Sequence, residues 1–208
     1  MLCLQKMRNV LLSTTYFGPV QWYQKLHRGE VVILEQHESF LKQTYRNRCV
    51  IATTNGLQTL SVPVNHEEGR GIRDMRISNH GNWRHLHWNA LCSAYGESPF
   101  FDYYVDDIRP FFENTWEHLF DFNLAIINKM VELLDIRTEI RLSESWNDGA
   151  EEGVADYRDV INPKHPLPDA DFQPRRYYQV YEQKHGFQPN LSILDLLFNM
   201  GNEAILWL

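Results

Sequence analysis

The chain has 208 residues, 43% of them hydrophobic and 23% charged. That balance describes an ordinary globular protein and excludes a disordered tail, a collagen-like repeat and a coiled-coil rod. A formal net charge of -7 disfavours broad attraction to phosphate backbones, and no apolar run approaches the roughly 18 residues of a membrane helix, so neither a nucleic-acid partner nor membrane insertion is expected.

Cys3, Cys49 and Cys92 are few, odd in number and scattered. They suit a reducing cytoplasm better than a disulfide framework or a closed zinc cluster. The length suits one domain over residues 1–208, with a ragged start at 1–8 and a loop-rich segment at 143–173.

The first structured run is Asn9 to Ser13, which reads as a short buried strand. Tyr16-Phe17-Gly18-Pro19 is a turn, with Pro19 placed to open a helix from Val20 to His27. Gly29 stops it, and the β-branched run Val31 to Leu34 reads as a second buried strand. Together these form a compact βαβ-like unit. Arg48 to Ala52 and Leu57 to Val64 flank Thr53-Thr54-Asn55-Gly56, in which Asn-Gly is a hairpin signal. Ile72 to Ile77 suggests another strand. Asn82 is placed to cap a helix running to about Tyr95, with Trp83, Leu86, His87, Ala90, Leu91 and Ala94 on one stripe.

The apolar spacing predicts one long helix from Asp106 or Asp107 to near Asp135, with Pro110 in its first turn. Ile140 and Leu142 suggest a short strand. Ser143 to Gln173 is irregular, though Tyr157 and Ile161 call for burial. Asn190 to Asn199 closes the chain as a helix, with Ser192 and Asp195 spaced like a capping box and Gly201 as its stop. The fold class is therefore α/β: a mixed sheet with an N-terminal βαβ-like unit and packed helices, leaving room for a Rossmann-like core.

Several residues could carry chemistry. His87 sits on an apolar stripe, either as a hydrogen-bonded core residue or as a general base at a cleft wall. His85 and His87 diverge on a helix, so a metal site is disfavoured. Arg46 and Arg48 share a face if their segment is extended, with Asn47 opposite. The pair could grip a phosphate or carboxylate, or one could pair with Glu35 or Glu38. Glu35 ends a buried strand, where open α/β sheets bind ligands. It can serve as a base or simply meet water. Cys92 lies badly for a partnership with His87, and free cysteines are usually small buried hydrophobes. No Gly-rich phosphate loop and no nucleophile elbow is present.

The chain resembles the WbqC-like family over nearly its whole length. The resemblance rests on Tyr16-Phe17-Gly18-Pro19-Val20, on Gln43-Thr44-Tyr45-Arg46-Asn47-Arg48 and on His80-Gly81-Asn82-Trp83-Arg84 with His87-Trp88. It continues through Ser93-Ala94-Tyr95, Ser98-Pro99-Phe100-Phe101 and Tyr104, and ends with Pro189, Ser192 to Asn199, Gly201 and Glu203. Cys49 and Asn202 depart from the family pattern, which commonly has a polar residue and Pro there.

The resemblance implies a transferase of surface-polysaccharide and O-antigen biosynthesis, adding glycine or another acyl group to an amino sugar. In that reaction His87 or Glu35 would be the base, and Arg46 and Arg48 would hold the activated substrate. Tyr95, Asn47 and Tyr16 would position the sugar. The partner would be a nucleotide sugar or an activated amino acid, with the cofactor left open. A looser likeness to adenylyl- and cytidylyl-transferring domains gives a second expectation, a nucleotide-dependent enzyme. A third is a non-catalytic nucleotide-sugar binding or scaffold protein.

Overall fold

The computed structural model describes residues 7–65, 70–146 and 153–208. The expected ragged start therefore lies outside the described residues over 1–6, and Met7 already belongs to the first strand. β1 (Met7–Ser13), α1 (Val20–Arg28) and β2 (Gly29–Glu35) form the anticipated βαβ unit. β1 and β2 pair in parallel, with Val10 opposite Val32 and Leu12 opposite Leu34. Val10, Leu11 and Leu12 are all buried, so β1 buries both of its faces and its run is apolar rather than alternating. In the last turn of α1, Lys25 and Arg28 place positive charge at the negative end of the helix dipole.

The sheet is parallel and has four strands in the order β7-β2-β1-β8. β7 (Glu139–Leu142) flanks β2 and β8 (Val154–Asp156) flanks β1. In chain order the chain fills one side of β1 with β2 and then β7, and returns to the other side with β8. The order reverses between β1 and β8. That arrangement is compatible with a Rossmann-like core. β8 lies inside the stretch that the sequence reads as irregular; Gly153 and only three strand residues hide it.

A hairpin, β3 (Arg48–Thr53) with β4 (Gly56–Ser61), lies outside this sheet. Its register pairs Thr53 with Gly56, so the loop is Thr54-Asn55. Gly56 adopts a φ of 107°, a conformation that favours glycine. The hairpin is as expected, with its two-residue loop inside the Thr53–Gly56 turn. β5 (Val64–Asn65) pairs with β6 (Arg76–Ile77) as a minimal ribbon, and the first half of the expected 72–77 strand is a 3-10 turn.

α2 (Trp83–Tyr95) buries Trp83, His87, Leu91 and Ala94, while Leu86 faces solvent. Asn82 precedes it in a left-handed conformation and makes no side-chain cap. The expected single long helix is instead three: α3 (Phe101–Ile108), α4 (Pro110–Glu113) and α5 (Leu119–Leu133). Pro110 supplies no N–H to continue α3, and Asn114 turns extended before α5 begins. α6 (Glu182–His185) is short, and α7 (Ile193–Met200) starts at Ser192, whose hydroxyl accepts from the Leu194 N–H. Gly201 ends α7 with a φ of 60°, as expected.

The two ends of the chain lock together. Phe17 has a positive φ of 42°, and its carbonyl accepts the Ser192 hydroxyl at 2.7 Å. The Gly18 carbonyl accepts the Ile193 N–H at 2.8 Å. A Cβ at Gly18 would collide with Thr15 Oγ1 and lie 2.9 Å from its Cβ, so only glycine fits this turn. Phe17, within the turn, is fully buried, which contributes about 1.5–3 kcal/mol relative to exposure. Tyr157 and Ile161 are buried as their composition required. No helix among the described residues is long and apolar enough to cross a membrane.

Candidate functional site at the strand ends

Open α/β sheets bind ligands outside the carboxyl ends of their strands, where the strand order reverses. Here those ends are Ser13, Glu35 and Asp156. A cleft of about 390 Å³ opens at this edge. His37 and Glu38 follow β2, Trp146 follows β7, and Asp156, Arg158 and Asp159 come from the end of β8 and beyond. Arg46 enters from the segment before the hairpin.

Arg46 is held from below. Its Nε donates to Glu38 Oε1 at 2.7 Å, and its Nη2 donates to Glu38 Oε2 and to Ser13 Oγ. Ser13 Oγ in turn donates to Glu38 Oε2 at 2.8 Å. Arg46 and Glu38 are 5% and 3% exposed, so this forked pair is desolvated and rigid. Sequence spacing suggested that Arg46 and Arg48 share a strand face. The strand begins only at Arg48, and Arg46 lies in a turn, so the two do not form one grip.

The second guanidinium of the cleft is Arg158. It donates from Nε and Nη2 to the Asp156 carboxylate, the Nη2 bond to Oδ2 measuring 2.7 Å. Its plane lies over the Trp146 ring at 4.8 Å. Nη1 stands 3.6 Å from Glu35 Oε2 and makes no hydrogen bond among the described residues. Trp146 is 55% exposed, an aromatic surface left open at a cleft wall.

Glu35 sits behind this wall, fully buried. Its Oε1 accepts the His37 backbone N–H at 2.7 Å and the Ser143 hydroxyl at 2.8 Å. The Ser143 carbonyl faces His37 Nε2 at 3.2 Å and accepts Gln36 Nε2 at 2.6 Å. His37, an exposed imidazole, therefore shares a hollow with two arginines.

The other residues singled out in the sequence lie elsewhere. The His87 ring is packed against Trp83 and Tyr16, and its Nδ1 accepts the Tyr16 hydroxyl at 2.9 Å. Burial pushes its pKa down to about 4, against a hydrogen bond with the Ser61 backbone that raises it. Tyr16 is itself fully buried. His87 and Tyr16 are not among the walls of the strand-end cleft. Asn47 donates from Nδ2 to the Val62 carbonyl, fastening the chain after β4. Tyr95 is buried beside Asp195, whose Oδ2 accepts the Tyr177 hydroxyl at 2.8 Å and Gln179 Nε2 at 2.9 Å. Asp195 thus binds this cluster instead of closing a capping box. Burial raises its carboxyl to about 6, although Tyr177, Tyr95 and Gln179 pull the other way. Cys49 is buried, and its thiol is pushed up to about 12 by desolvation.

The pairing of Arg46 with Glu38 is one of the alternatives the sequence offered; sequence reasoning missed His37, Trp146, Asp156 and Arg158. His37 had a usable signal, since it lies two residues past the strand end that drew attention to Glu35. Among the described residues no cluster of three or more His, Cys, Asp or Glu is placed to hold a metal ion.

The turn after β1 is not free to cradle a phosphate. The first α1 amides are engaged within the chain: Val20 N–H donates to the Leu191 carbonyl and Gln21 N–H to Asn190 Oδ1. A helix N-terminus attracts phosphate only through such donors.

A profile of the WbqC-like protein family matches residues 14–165 and 169–206. The chain is 30% identical to the protein named "Uncharacterized protein Rv1507c" from Mycobacterium tuberculosis (strain ATCC 25618 / H37Rv), across 95% of this chain and 96% of that one. No solved structure matches it. With nearly its whole length matched, from the turn after β1 to the helix that locks that turn, the chain belongs to the WbqC-like family.

Proposed function

We propose that this protein is a transferase of surface-polysaccharide assembly, joining an activated amino acid such as glycine to the amino group of a sugar, with the reaction in the strand-end cleft. The observation that carries this reading is the meeting of two buried guanidinium groups and an imidazole in one hollow at the point where strand order reverses. Acyl transfer to an amine needs a proton acceptor and donors for developing negative charge. Arg158 Nη1 and the Arg46 guanidinium are such donors, and Trp146 offers a face for a sugar ring. Of the two bases named from sequence, Glu35 stands closer to this chemistry. It abuts the cleft through Arg158, His37 and Ser143, whereas both sides of the His87 ring are taken up by the core.

The test is a reconstituted assay. The purified chain is mixed with an aminoacyl adenylate of glycine and a UDP-linked amino sugar, and the product is read by mass spectrometry. Appearance of the amide-linked product supports the reading. Binding of the nucleotide sugar without turnover points instead to a recognition role. Turnover from ATP and free glycine adds an activating step to the same chain.

A further inference from the structure

We infer that His37 is the acid–base residue of the strand-end cleft, and that Glu35 is the positioning residue that aims it through Ser143. This rests on the transferase reading and names the group that would move the proton.

The argument begins with attachment. One carboxylate oxygen, Glu35 Oε1, accepts both the backbone N–H of His37 and the hydroxyl of Ser143. Ser143 then offers its carbonyl to His37 Nε2. The imidazole is thus tethered at its own backbone and at the far side of its ring by groups that converge on a single buried carboxylate. A carbonyl only accepts, so the proton of the neutral ring resides on Nε2. Nδ1 is left with a lone pair and no partner among the described residues. A base oriented by a second group, itself fixed by a third, is the arrangement that proton-transfer chemistry requires.

Next comes access. His37 is exposed and lines the cleft. His87, the imidazole that the sequence put forward, spends its Nδ1 on Tyr16. The charged groups around His37 are Glu35 behind it, Glu38 and Arg46 beside it, and Asp156, Arg158 and Asp159 on the β8 side. Arg73 reaches the neighbouring Gln36 at 2.7 Å.

The step balances as follows. The acceptor's N–H or O–H gives its proton to Nδ1 as its nitrogen or oxygen bonds to the acyl carbon of an acyl phosphate or acyl adenylate. The C–O bond to the phosphate breaks, and the imidazolium returns the proton to that departing oxygen or to water. Nε2–H stays on the Ser143 carbonyl throughout.

The experiment pairs imidazole nitrogen NMR with the acyl-transfer assay, using the full chain, His37→Gln and Glu35→Gln. His37→Gln alters an exposed side chain and identifies the His37 signals by their loss. The wild-type ring is expected as the Nε2–H tautomer. Glu35→Gln weakens the acceptor that holds the His37 backbone N–H and the Ser143 hydroxyl, so the Nε2–H tautomer should become less populated. In the assay, His37→Gln should lower kcat by about 100-fold or more and abolish one ionisation in the pH profile. Glu35→Gln should lower kcat less than His37→Gln does and leave KM near wild type, as expected of a residue that acts through His37. A neutral ring protonated on Nδ1, or a His37→Gln protein with the wild-type rate and pH profile, overturns the inference. A wild-type chain that transfers no acyl group sinks the transferase reading instead, and the tautomer then judges the His37 arrangement by itself.

Discussion

Glu38 and Arg46 meet as a two-oxygen ion pair at the floor of the strand-end cleft, with Ser13 bonded to both. Both are nearly sealed from water. The Coulomb attraction of such a pair is opposed by the cost of desolvating two ions, and removing one partner leaves the other buried and uncompensated. Glu38→Gln or Arg46→Met alone should therefore cost about 3–5 kcal/mol in urea unfolding. The double variant should recover part of that loss. Single variants with wild-type midpoints would show that water reaches the pair freely.

Two buried groups should pull pH dependence in opposite directions. His87 has its pKa pushed down to about 4 by burial, so the folded state keeps it neutral. The unfolded chain takes up the proton first, and this contribution is lost as pH falls from about 6.5 toward 4. Asp195 is raised to about 6 by burial, so its contribution is present at low pH and is lost as pH rises through 6. Each is on the order of 3 kcal/mol, which flattens the wild-type curve. Asp195→Asn should expose stability that rises between pH 4 and 6.5. His87→Gln should expose the reverse slope. Denaturation midpoints across that range check both, and parallel curves for all three proteins would contradict the assignment.

The turn that joins the two chain ends should tolerate no side chain at Gly18. A Cβ there meets Thr15 on one side, while the Gly18 carbonyl must still accept from Ile193. Gly18→Ala should cost about 1–3 kcal/mol through that overlap. Thr15→Ala combined with Gly18→Ala should recover much of it, which thermal unfolding can measure.

Much of the fold was legible because it follows local rules. The apolar runs around Val10 and Val32, the stop at Gly29 and the cap at Ser192 all announce themselves. The long helix was misread because its apolar stripe continues through Phe111, Phe112 and Leu119, although the backbone breaks after Ile108 and again after Glu113. Periodicity reports which face is apolar; it does not show that one helix carries it. β8 was invisible because three residues give no period.

Of the residues that line the cleft, the sequence singles out Arg46 and its neighbour Glu38, but not Arg158 or His37. A cationic group and an imidazole do share a hollow, but the arginine partnering Arg46 is Arg158, more than a hundred residues away, and the imidazole is His37. Only the sheet order brings the end of β8 beside β1, one strand away from β2. No local pattern contains that long-range pairing.

The most direct measurement is a backbone amide chemical-shift map recorded while a UDP-linked amino sugar is titrated into the full chain. The strand-end account places the largest changes at His37, Arg46, Asp156 and Arg158, with the Trp146 indole signal moving alongside them, and Trp146→Ala weakening the response. Changes gathered around Tyr181, His185 and Gln188, at the smaller hollow beside the hairpin, with those residues silent, would contradict it.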